Sequence, residues 1–209
     1  NNFYNSKFQK FRINNLLSGK NINNVSASPD GKYIAIVETK DEGDTISLKQ
    51  IEDGNTLETL PKSNLRIVAT TFSPKGDYIY YTAYQRESSS QGQVGKLFKI
   101  PILGGASQEI LDDIDSPITI SDDNKKIAFV RNSPKEKKST IIISNIDGSN
   151  EKVLAKRDLR NGFSVFGLSF SPDGKLLAST VLERDAEKNP AKVVLINTEN
   201  GEEKILTEQ

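Results

Sequence analysis

The chain repeats one short turn motif four times, and this repeat limits its possible folds more than any other feature does. The motif reads VSASPDGKYIA at residues 25–35, TFSPKGDYIY at 71–80, a weaker ITISDDNKKIA at 118–128, and LSFSPDGKLLA at 168–178. Its serines, 45, 48 and 50 residues apart, are Ser28, Ser73, Ser121 and Ser171. A second, glycine-containing landmark follows in each unit, at Asp53-Gly54, Gly104-Gly105, Asp147-Gly148 and Asn200-Gly201. Each unit therefore predicts four short strands joined by turns.

A four-stranded antiparallel unit that recurs every 40–50 residues is typical of a β-propeller blade. The alternative is a β-sandwich of sixteen unrelated strands, which would not repeat its turns at this spacing. We therefore predict an all-β chain, a single β-propeller domain over residues 1–209 built of four-stranded antiparallel blades. The predicted blades span about 24–60, 69–111, 117–154 and 167–206.

The turn residues of the motif have a structural role. Proline presets φ, aspartate accepts hydrogen bonds from nearby backbone, and glycine takes a positive φ. We assign these roles to Asp30, Gly31, Gly76, Asp173 and Gly174. We do not interpret the aspartates as calcium ligands, because each turn offers one or two carboxylates and Ca²⁺ needs six to eight oxygens. The third unit lacks both Pro and Gly between Ser121 and Asn124, which leaves its turn type open.

Residues 7–13 (KFQKFRI) alternate in polarity and precede the first complete blade. By position they match a fourth strand without blade-mates upstream, although the last unit already has a predicted fourth strand at 202–206. We expect this extra N-terminal strand to belong to a further blade whose other strands would follow Gln209, so that the chain is part of a larger propeller. If the four blades exist alone, their open edges predict a homo-oligomer.

The missing residue types exclude several mechanisms. The chain has no His and no Cys, so it cannot assemble a Ser-His-Asp or Cys-His mechanism, and it lacks the usual zinc, copper and haem ligands.

Its 28 basic residues balance 28 acidic ones, so no net charge attracts nucleic acid or an anionic membrane. No apolar run approaches the roughly 20 residues of a membrane-spanning helix. We predict a non-enzymatic module without catalytic residues, metal or cofactor.

The SPDGK elements, followed by Ile or Leu and then Ala, resemble the TolB-type propeller repeats of bacteria, and the resemblance covers residues 22 to 207. A more specific stretch joins LFKIPILGGA at 97–106 with DSP at 115–117 and IAFVRN at 127–132. It resembles the propellers appended to bacterial serine/threonine kinases and winged-helix regulators. That resemblance implies a sensor or scaffold module of a larger signalling protein, periplasmic or extracytoplasmic, which binds a protein or small ligand. From the charge balance and the lack of a long apolar run we predict that this domain neither binds nucleic acid nor inserts into a membrane.

Similar propellers also precede prolyl-oligopeptidase-type hydrolases, so an accessory domain of such a hydrolase is the alternative function. No Gly-x-Ser-x-Gly elbow occurs in the sequence, and the hydrolase domain would therefore lie outside this chain.

Loop lengths predict the binding face. The turns after the first and third strands are short, whereas the connections after the second and fourth strands vary and share the other face, where repeat proteins often bind partners. The connections after the second strands are 39–44, 84–95, 132–138 and 182–191. Within the crossing at 155–166 and the loop at 84–95, the candidate binding residues are Arg157, Asp158, Arg160, Phe163 and Arg86. A disordered surface insertion is the alternative interpretation of 84–95.

Overall fold

The computed structural model describes residues 21–61, 63–85, 94–182 and 191–206. These residues form four antiparallel four-stranded sheets, and each sheet takes its strands in sequence order. The prediction of an all-β propeller with four-stranded blades is confirmed. The predicted strand at 7–13 and the candidate Arg86 lie outside the described residues.

Each blade runs from an inner first strand to an outer fourth strand. Blade 1 comprises β1 (Ile22–Ala27), β2 (Tyr33–Lys40), β3 (Gly43–Gln50) and β4 (Thr56–Leu60). Blade 2 comprises β5 (Leu65–Phe72), β6 (Tyr78–Gln85), β7 (Lys96–Pro101) and β8 (Gln108–Asp112). Blade 3 comprises β9 (Thr119–Ile120), β10 (Lys126–Ser133), β11 (Lys138–Asn145) and β12 (Lys152–Asp158). Blade 4 comprises β13 (Phe163–Phe170), β14 (Leu176–Leu182), β15 (Ala191–Asn197) and β16 (Glu203–Ile205).

The repeated motif forms the same turn even where its sequence is weakest. The Ser28 hydroxyl donates to Asp30 Oδ1 at 2.7 Å and accepts the N–H of Tyr33 at 2.9 Å. In the third unit the N–H of Asn124 donates to the carbonyl of Ser121 at 2.8 Å, and Asn124 takes a φ of 57°. Asparagine tolerates this left-handed conformation, so it replaces the missing glycine and the turn is kept.

The connections on the expected long-loop face are shorter than predicted in two blades. The expected loop at 39–44 is wrong, because Lys40 pairs with Gly43 and only two residues join β2 to β3. The connection from β10 to β11 spans 134–137 instead of 132–138, and Lys137 closes it with a φ of 54°. The corresponding connections of blades 2 and 4 lie mostly outside the described residues. The predicted contrast between the two faces is therefore absent from blades 1 and 3.

The last crossing is also shorter than the predicted 155–166. β12 extends to Asp158 because β11 already begins at Lys138, and these two residues pair across the strands. A short 3-10 helix, Leu159–Asn161, then leads to β13 at Phe163. Arg157 and Asp158 are therefore strand residues and not loop residues.

Consecutive blades pack face to face through apolar clusters. The cluster between blades 1 and 2 includes Val37 and Tyr81, the one between blades 2 and 3 includes Phe129, and the one between blades 3 and 4 includes Phe163 and Leu177. A closed ring of four blades would need a fourth cluster between blades 4 and 1. The residues that the structure describes form three such clusters, one at each junction between consecutive blades. The larger propeller stays a prediction.

Two kinds of contact recur at the junctions between blades. At the inner side, a main-chain N–H near the start of a blade's first strand donates to the preceding blade, at or just before its third strand. The bonds are Ile67 to Asp44 Oδ2 at 2.7 Å, Ile114 to the Gly95 carbonyl at 3.1 Å, and Phe163 to Ser139 Oγ at 3.1 Å. At the outer side, the glycine turn between the third and fourth strands lies against the outer strand of the preceding blade. An added Cβ would lie 3.2 Å from the Thr59 oxygen at Gly104, 2.7 Å from the Ile110 oxygen at Gly148, and 2.1 Å from the Leu154 oxygen at Gly201.

Candidate functional site

Residues of all four blades line one cavity of about 610 Å³ on the side of the molecule where the short SPDG-type turns lie. Blade 1 contributes Pro29, blade 2 Phe72 and Pro74, blade 3 Asp122, and blade 4 Leu168. No single blade forms this cavity, so only the assembled blades provide it. The loop lengths in the sequence predict binding at the opposite, long-loop face, and this cavity was therefore not among the predicted sites.

The polar groups of the cavity wall are engaged with neighbouring strands. The Thr71 hydroxyl donates to the Ile118 carbonyl at 3.2 Å, and the Thr119 hydroxyl accepts the N–H of Phe170 at 3.2 Å. Asp122 is exposed and takes no part in the turn hydrogen bonds of its neighbour Asp123. The cavity therefore combines apolar and proline walls with one carboxylate, which suits a ligand that carries an apolar group and a positive charge.

The described residues contain no group of three or more side chains that could hold a metal ion. The carboxylates of the SPDG-type turns are used internally. The pKa values of Asp30, Asp123 and Asp173 are lowered, first because each accepts a hydrogen bond from the serine two residues before it and second because each accepts a backbone N–H two residues later. The turn roles assigned to Asp30 and Asp173 match this geometry, and Gly31, Gly76 and Gly174 take φ values of 69°, 72° and 70°.

The candidate binding residues near the last crossing have partners within the fold. Arg157 forms hydrogen bonds through Nε and a terminal nitrogen to Glu203 on β16, and its guanidinium lies 5.6 Å from the centre of the Phe163 ring. The Asp158 carboxylate pairs with Lys138, whose hydrogen bond and charge lower the pKa of Asp158. Arg160 lies in the 3-10 helix. The structure thus brings Arg157 and Phe163 together at the junction of blades 3 and 4, where they join the two blades.

Asp115 is a half-buried carboxylic acid at this same end that the sequence analysis did not single out. Burial raises its pKa, and a 2.7 Å hydrogen bond from the N–H of Asn132 opposes the shift. The pKa of Tyr84 is raised by burial and then by the charge of Asp115. The only sequence signal was the DSP run before the third motif, which has no catalytic pattern.

Blades 1 and 4 expose some positions whose equivalents are buried at junctions between blades. Val25 on β1 is 44% exposed, whereas its motif equivalents Thr70 and Ile118 are 7% and 6% exposed, and Leu168 is half-buried. Gly54 is exposed and has no described atom within 4 Å of an added Cβ, unlike its equivalents in blades 2, 3 and 4. Blade 1 thus presents the half of a blade junction that normally meets a preceding blade.

In blade 4, Leu206 follows β16 and is 50% exposed, whereas its register equivalents Thr59 and Leu154 are 1% and 7% exposed. Phe166 is 86% exposed at a bulge in β13, where four residues lie between the paired positions Phe163 and Leu168. A shallow depression of about 330 Å³ lies beside Phe166 and reaches Ala178 and Val193 on the neighbouring strands. Within the part of the chain that the structure describes, this sheet face corresponds to the one that meets a following blade at the internal junctions.

Comparison with solved structures agrees with this architecture. A TolB from Agrobacterium tumefaciens matches with a TM-score of 0.66 and 16% identity over 90% of this chain and 62% of its own. TolB from Acinetobacter baumannii matches with a TM-score of 0.69 and 22% identity over 93% of this chain and 45% of its own. The fold is that of the TolB-like propellers. The chain spans less than two thirds of the length of either TolB.

A structure of prolyl endopeptidases is also similar, with a TM-score of 0.62 and 15% identity over 88% of this chain and 29% of that chain. Neither a family model nor a curated protein matches the sequence. Within the part of the chain that the structure describes, no helix is long and apolar enough to cross a membrane. Identities at this level establish the shared propeller fold and leave the ligand to be argued from the site.

Proposed function

We propose that the chain is a non-catalytic binding module, a propeller that serves as the sensor or scaffold part of a larger bacterial signalling protein. The observation that carries this proposal is the 610 Å³ cavity to which all four blades contribute. A cavity that every repeat helps to form is retained only while the blades keep their arrangement, which is the property expected of a ligand site on a rigid scaffold.

The chemistry of the cavity supports a specific ligand class. Its walls are apolar side chains and the rings of Pro29 and Pro74, and Asp122 supplies a carboxylate at the rim. A short protein segment or small molecule that carries an apolar group beside an amine or guanidinium would fill the walls and pair with Asp122. The absence of His and Cys from the sequence favours binding over nucleophilic catalysis.

The proposed location is periplasmic or extracytoplasmic. It is supported by the resemblance of the repeat motif to TolB-type propellers and by the shared fold with two TolB structures. The proposed attachment to a kinase or a winged-helix regulator rests on the resemblance of residues 97–132 alone.

The experiment is a titration of the isotope-labelled full chain, followed by amide NMR signals. The probes are a tetrapeptide with one leucine and one lysine, and the same tetrapeptide with glutamate in place of lysine. We expect the lysine peptide to shift the signals of Thr71 and Thr119, and Asp122→Asn to weaken its binding roughly tenfold, as the loss of one charge pair does. Asp147→Asn is the control, because Asp147 lies at the outer turn of the same blade.

Three results would contradict the proposal. Neither peptide binds at millimolar concentration, Asp122→Asn leaves the affinity unchanged, or the signals that shift surround Arg157 and Phe163. The last result would place binding near the last crossing, where the sequence predicts it.

The alternative is an accessory propeller of a prolyl-oligopeptidase-type hydrolase. It is favoured by the similarity to the prolyl endopeptidase structure, of which this chain covers 29%. The sequence of the parent protein distinguishes the two functions, since a nucleophile elbow and a histidine downstream would support the hydrolase.

A further inference from the structure

The three junctions between consecutive blades differ at one pair of equivalent positions beside the SPDG-type turns. The first position is the first residue of a blade's second strand, which is Tyr33, Tyr78 or Lys126. The second position directly follows the third strand of the next blade. Its N–H donates to the residue just before that blade's second strand, and its residue is Ile102, Ile146 or Thr198.

At the first two junctions both positions are apolar. Tyr33 and Ile102 pack against the cluster between blades 1 and 2. Tyr78 and Ile146 pack against the cluster between blades 2 and 3. A tyrosine from one blade and an isoleucine from the next therefore extend the apolar core towards the turns.

At the third junction both positions are polar. The ammonium group of Lys126 donates to Asn145 Oδ1 at 2.8 Å, and the Thr198 hydroxyl donates to the Gly174 carbonyl at 2.8 Å. Lys126 and Thr198 line a pocket of about 310 Å³ between blades 3 and 4. This junction thus has a pocket at the place where the other two carry a tyrosine and an isoleucine.

The walls of this pocket combine apolar and charged side chains. Ile143 and Phe170 form the apolar part together with Pro172, and the first two also pack against the cluster between blades 3 and 4. The charged residues are three carboxylates and one ammonium group, those of Asp122, Asp123, Asp173 and Lys126. The excess of negative charge favours a cationic ligand, and the apolar walls favour a ring.

The pocket lies between elements that the structure describes on both sides. It is bordered by the turns at 121–125, 171–175 and 198–202, all of which are described. At the outer side of the same junction, Lys152 donates to the Glu199 carbonyl at 3.0 Å, so blades 3 and 4 remain in contact beyond the pocket.

We propose that this pocket is a second binding site, which takes a small aromatic amine. The ring occupies the place of the missing tyrosine, against Ile143 and Phe170, and the amine pairs with the carboxylates that line the pocket. The site does not depend on the proposed function, because blades 3 and 4 alone form it, although Asp122 also lines the larger cavity.

The experiment is a titration of the isotope-labelled full chain with tyramine, followed by amide NMR signals. We expect the signals of Lys126, Gly174 and Thr198 to shift, with a dissociation constant on the order of millimolar. Two matched probes separate the contributions of charge and ring. The first, 3-(4-hydroxyphenyl)propionate, keeps the ring and carries a carboxylate, and the second, butylamine, keeps the amine without the ring. Each should bind at least roughly tenfold more weakly than tyramine.

A variant that restores the side chains of the other junctions tests the site itself. Lys126→Tyr combined with Thr198→Ile should fill the pocket and abolish the tyramine shifts. It should also raise the urea midpoint, because apolar area is buried at the junction. Each substitution alone should weaken tyramine binding at least roughly tenfold. Lys135→Tyr is the matched control, since Lys135 is exposed in the connection between β10 and β11 and should leave binding unchanged.

Four results would overturn the inference. They are the absence of shifts at tens of millimolar tyramine, equal binding of the amine and the carboxylate probe, and unchanged binding by the folded double variant. The fourth is a set of shifts around Thr71 that spares Gly174 and Thr198. That result would place tyramine in the larger cavity, so it would overturn this inference and leave the proposed function standing.

Discussion

The Cβ position of Gly201 lies 2.1 Å from the carbonyl oxygen of Leu154, so the last turn of blade 4 rests directly on the main chain of blade 3. Gly201 also takes a φ of 76°. Gly201→Ala should therefore lower the free energy of unfolding for two reasons. Alanine in the left-handed conformation costs about 1–2 kcal/mol, and the separation of the blades that the new Cβ requires costs a further ~1–3 kcal/mol. Urea unfolding of the purified variant measures the sum.

Gly54→Ala is the matched control for this prediction. Gly54 takes nearly the same φ, 72°, but has no described atom within 4 Å of an added Cβ. It should lose only the conformational part, about 1–2 kcal/mol. Equal losses for the two variants in dilute, monomeric samples would mean that the close approach at Gly201 does not hold the blades together.

Arg157 and Glu203 should stabilise the junction of blades 3 and 4 as a pair. Their side chains are 27% and 23% exposed, and the arginine forms two hydrogen bonds to the carboxylate. A double-mutant cycle with Arg157→Ala and Glu203→Ala should give a coupling free energy of about 1 kcal/mol, which decreases at high salt. If the coupling is absent and Arg157→Ala affects only ligand binding, Arg157 is a binding residue, as predicted from the sequence.

The repeated turns should make the protein sensitive to acid. The pKa values of Asp30, Asp123 and Asp173 are lower in the fold than the ordinary value of 3.8 because of the serine and backbone hydrogen bonds. A carboxylate whose pKa is lower in the folded state stabilises the fold fully at pH values above its pKa in the unfolded state. This stabilisation is lost as the pH falls through its pKa in the folded state. A variant in which Asp30, Asp123 and Asp173 are all replaced by asparagine should therefore lose less stability than the wild type as the pH falls from about 5 to 2.

Urea midpoints at several pH values test this prediction. Asp122→Asn serves as the control, since Asp122 takes no part in these turn hydrogen bonds. An acid dependence that is the same in the triple variant and the wild type would show that other carboxylates cause the loss.

Buried tyrosines should limit stability at the alkaline end. Burial raises the pKa values of Tyr80, Tyr81 and Tyr84 above 10.0, and a hydrogen bond with Ser107 partly opposes the shift at Tyr81. The stabilisation that these protonated tyrosines give the fold is fully present below their pKa in the unfolded state. It is lost as the pH rises through their higher pKa in the folded state. Phenolate absorbance should therefore increase together with the loss of circular dichroism, and Tyr81→Phe should reduce this alkaline destabilisation. Phenolate that forms while the fold persists would contradict the prediction.

The sequence predicted the blades because each one ends in turn chemistry that is local. Ser28, Asp30 and Gly31 close their turn by contacts within a few residues, so the motif alone places the strands on either side. Asn124 shows that the turn survives without the glycine, since an asparagine tolerates the same left-handed conformation.

The candidate site could not be predicted in the same way. Pro29 and Leu168 line one cavity although they are far apart in sequence and belong to different blades. Arg157 looked available for a ligand because Glu203, its partner, lies in another blade. The face with long loops was misjudged because Gly43 allows β2 and β3 to pair up to a two-residue turn. Each of these depends on contacts between repeats, which the pattern within one repeat does not contain.

Main-chain carbonyl oxygens lie close to the turn glycines of the next blade, at Gly104, Gly148 and Gly201. Main-chain atoms therefore set the distance between the blades. Every amino acid carries the same carbonyl group, so a blade can exchange most of its side chains and still fit its neighbour. Duplication of a whole unit would then yield a copy that already matches both flanking blades. Such a chain can gain or lose repeats while its architecture persists, and the same fold occurs at 16% and 22% identity in two TolB propellers.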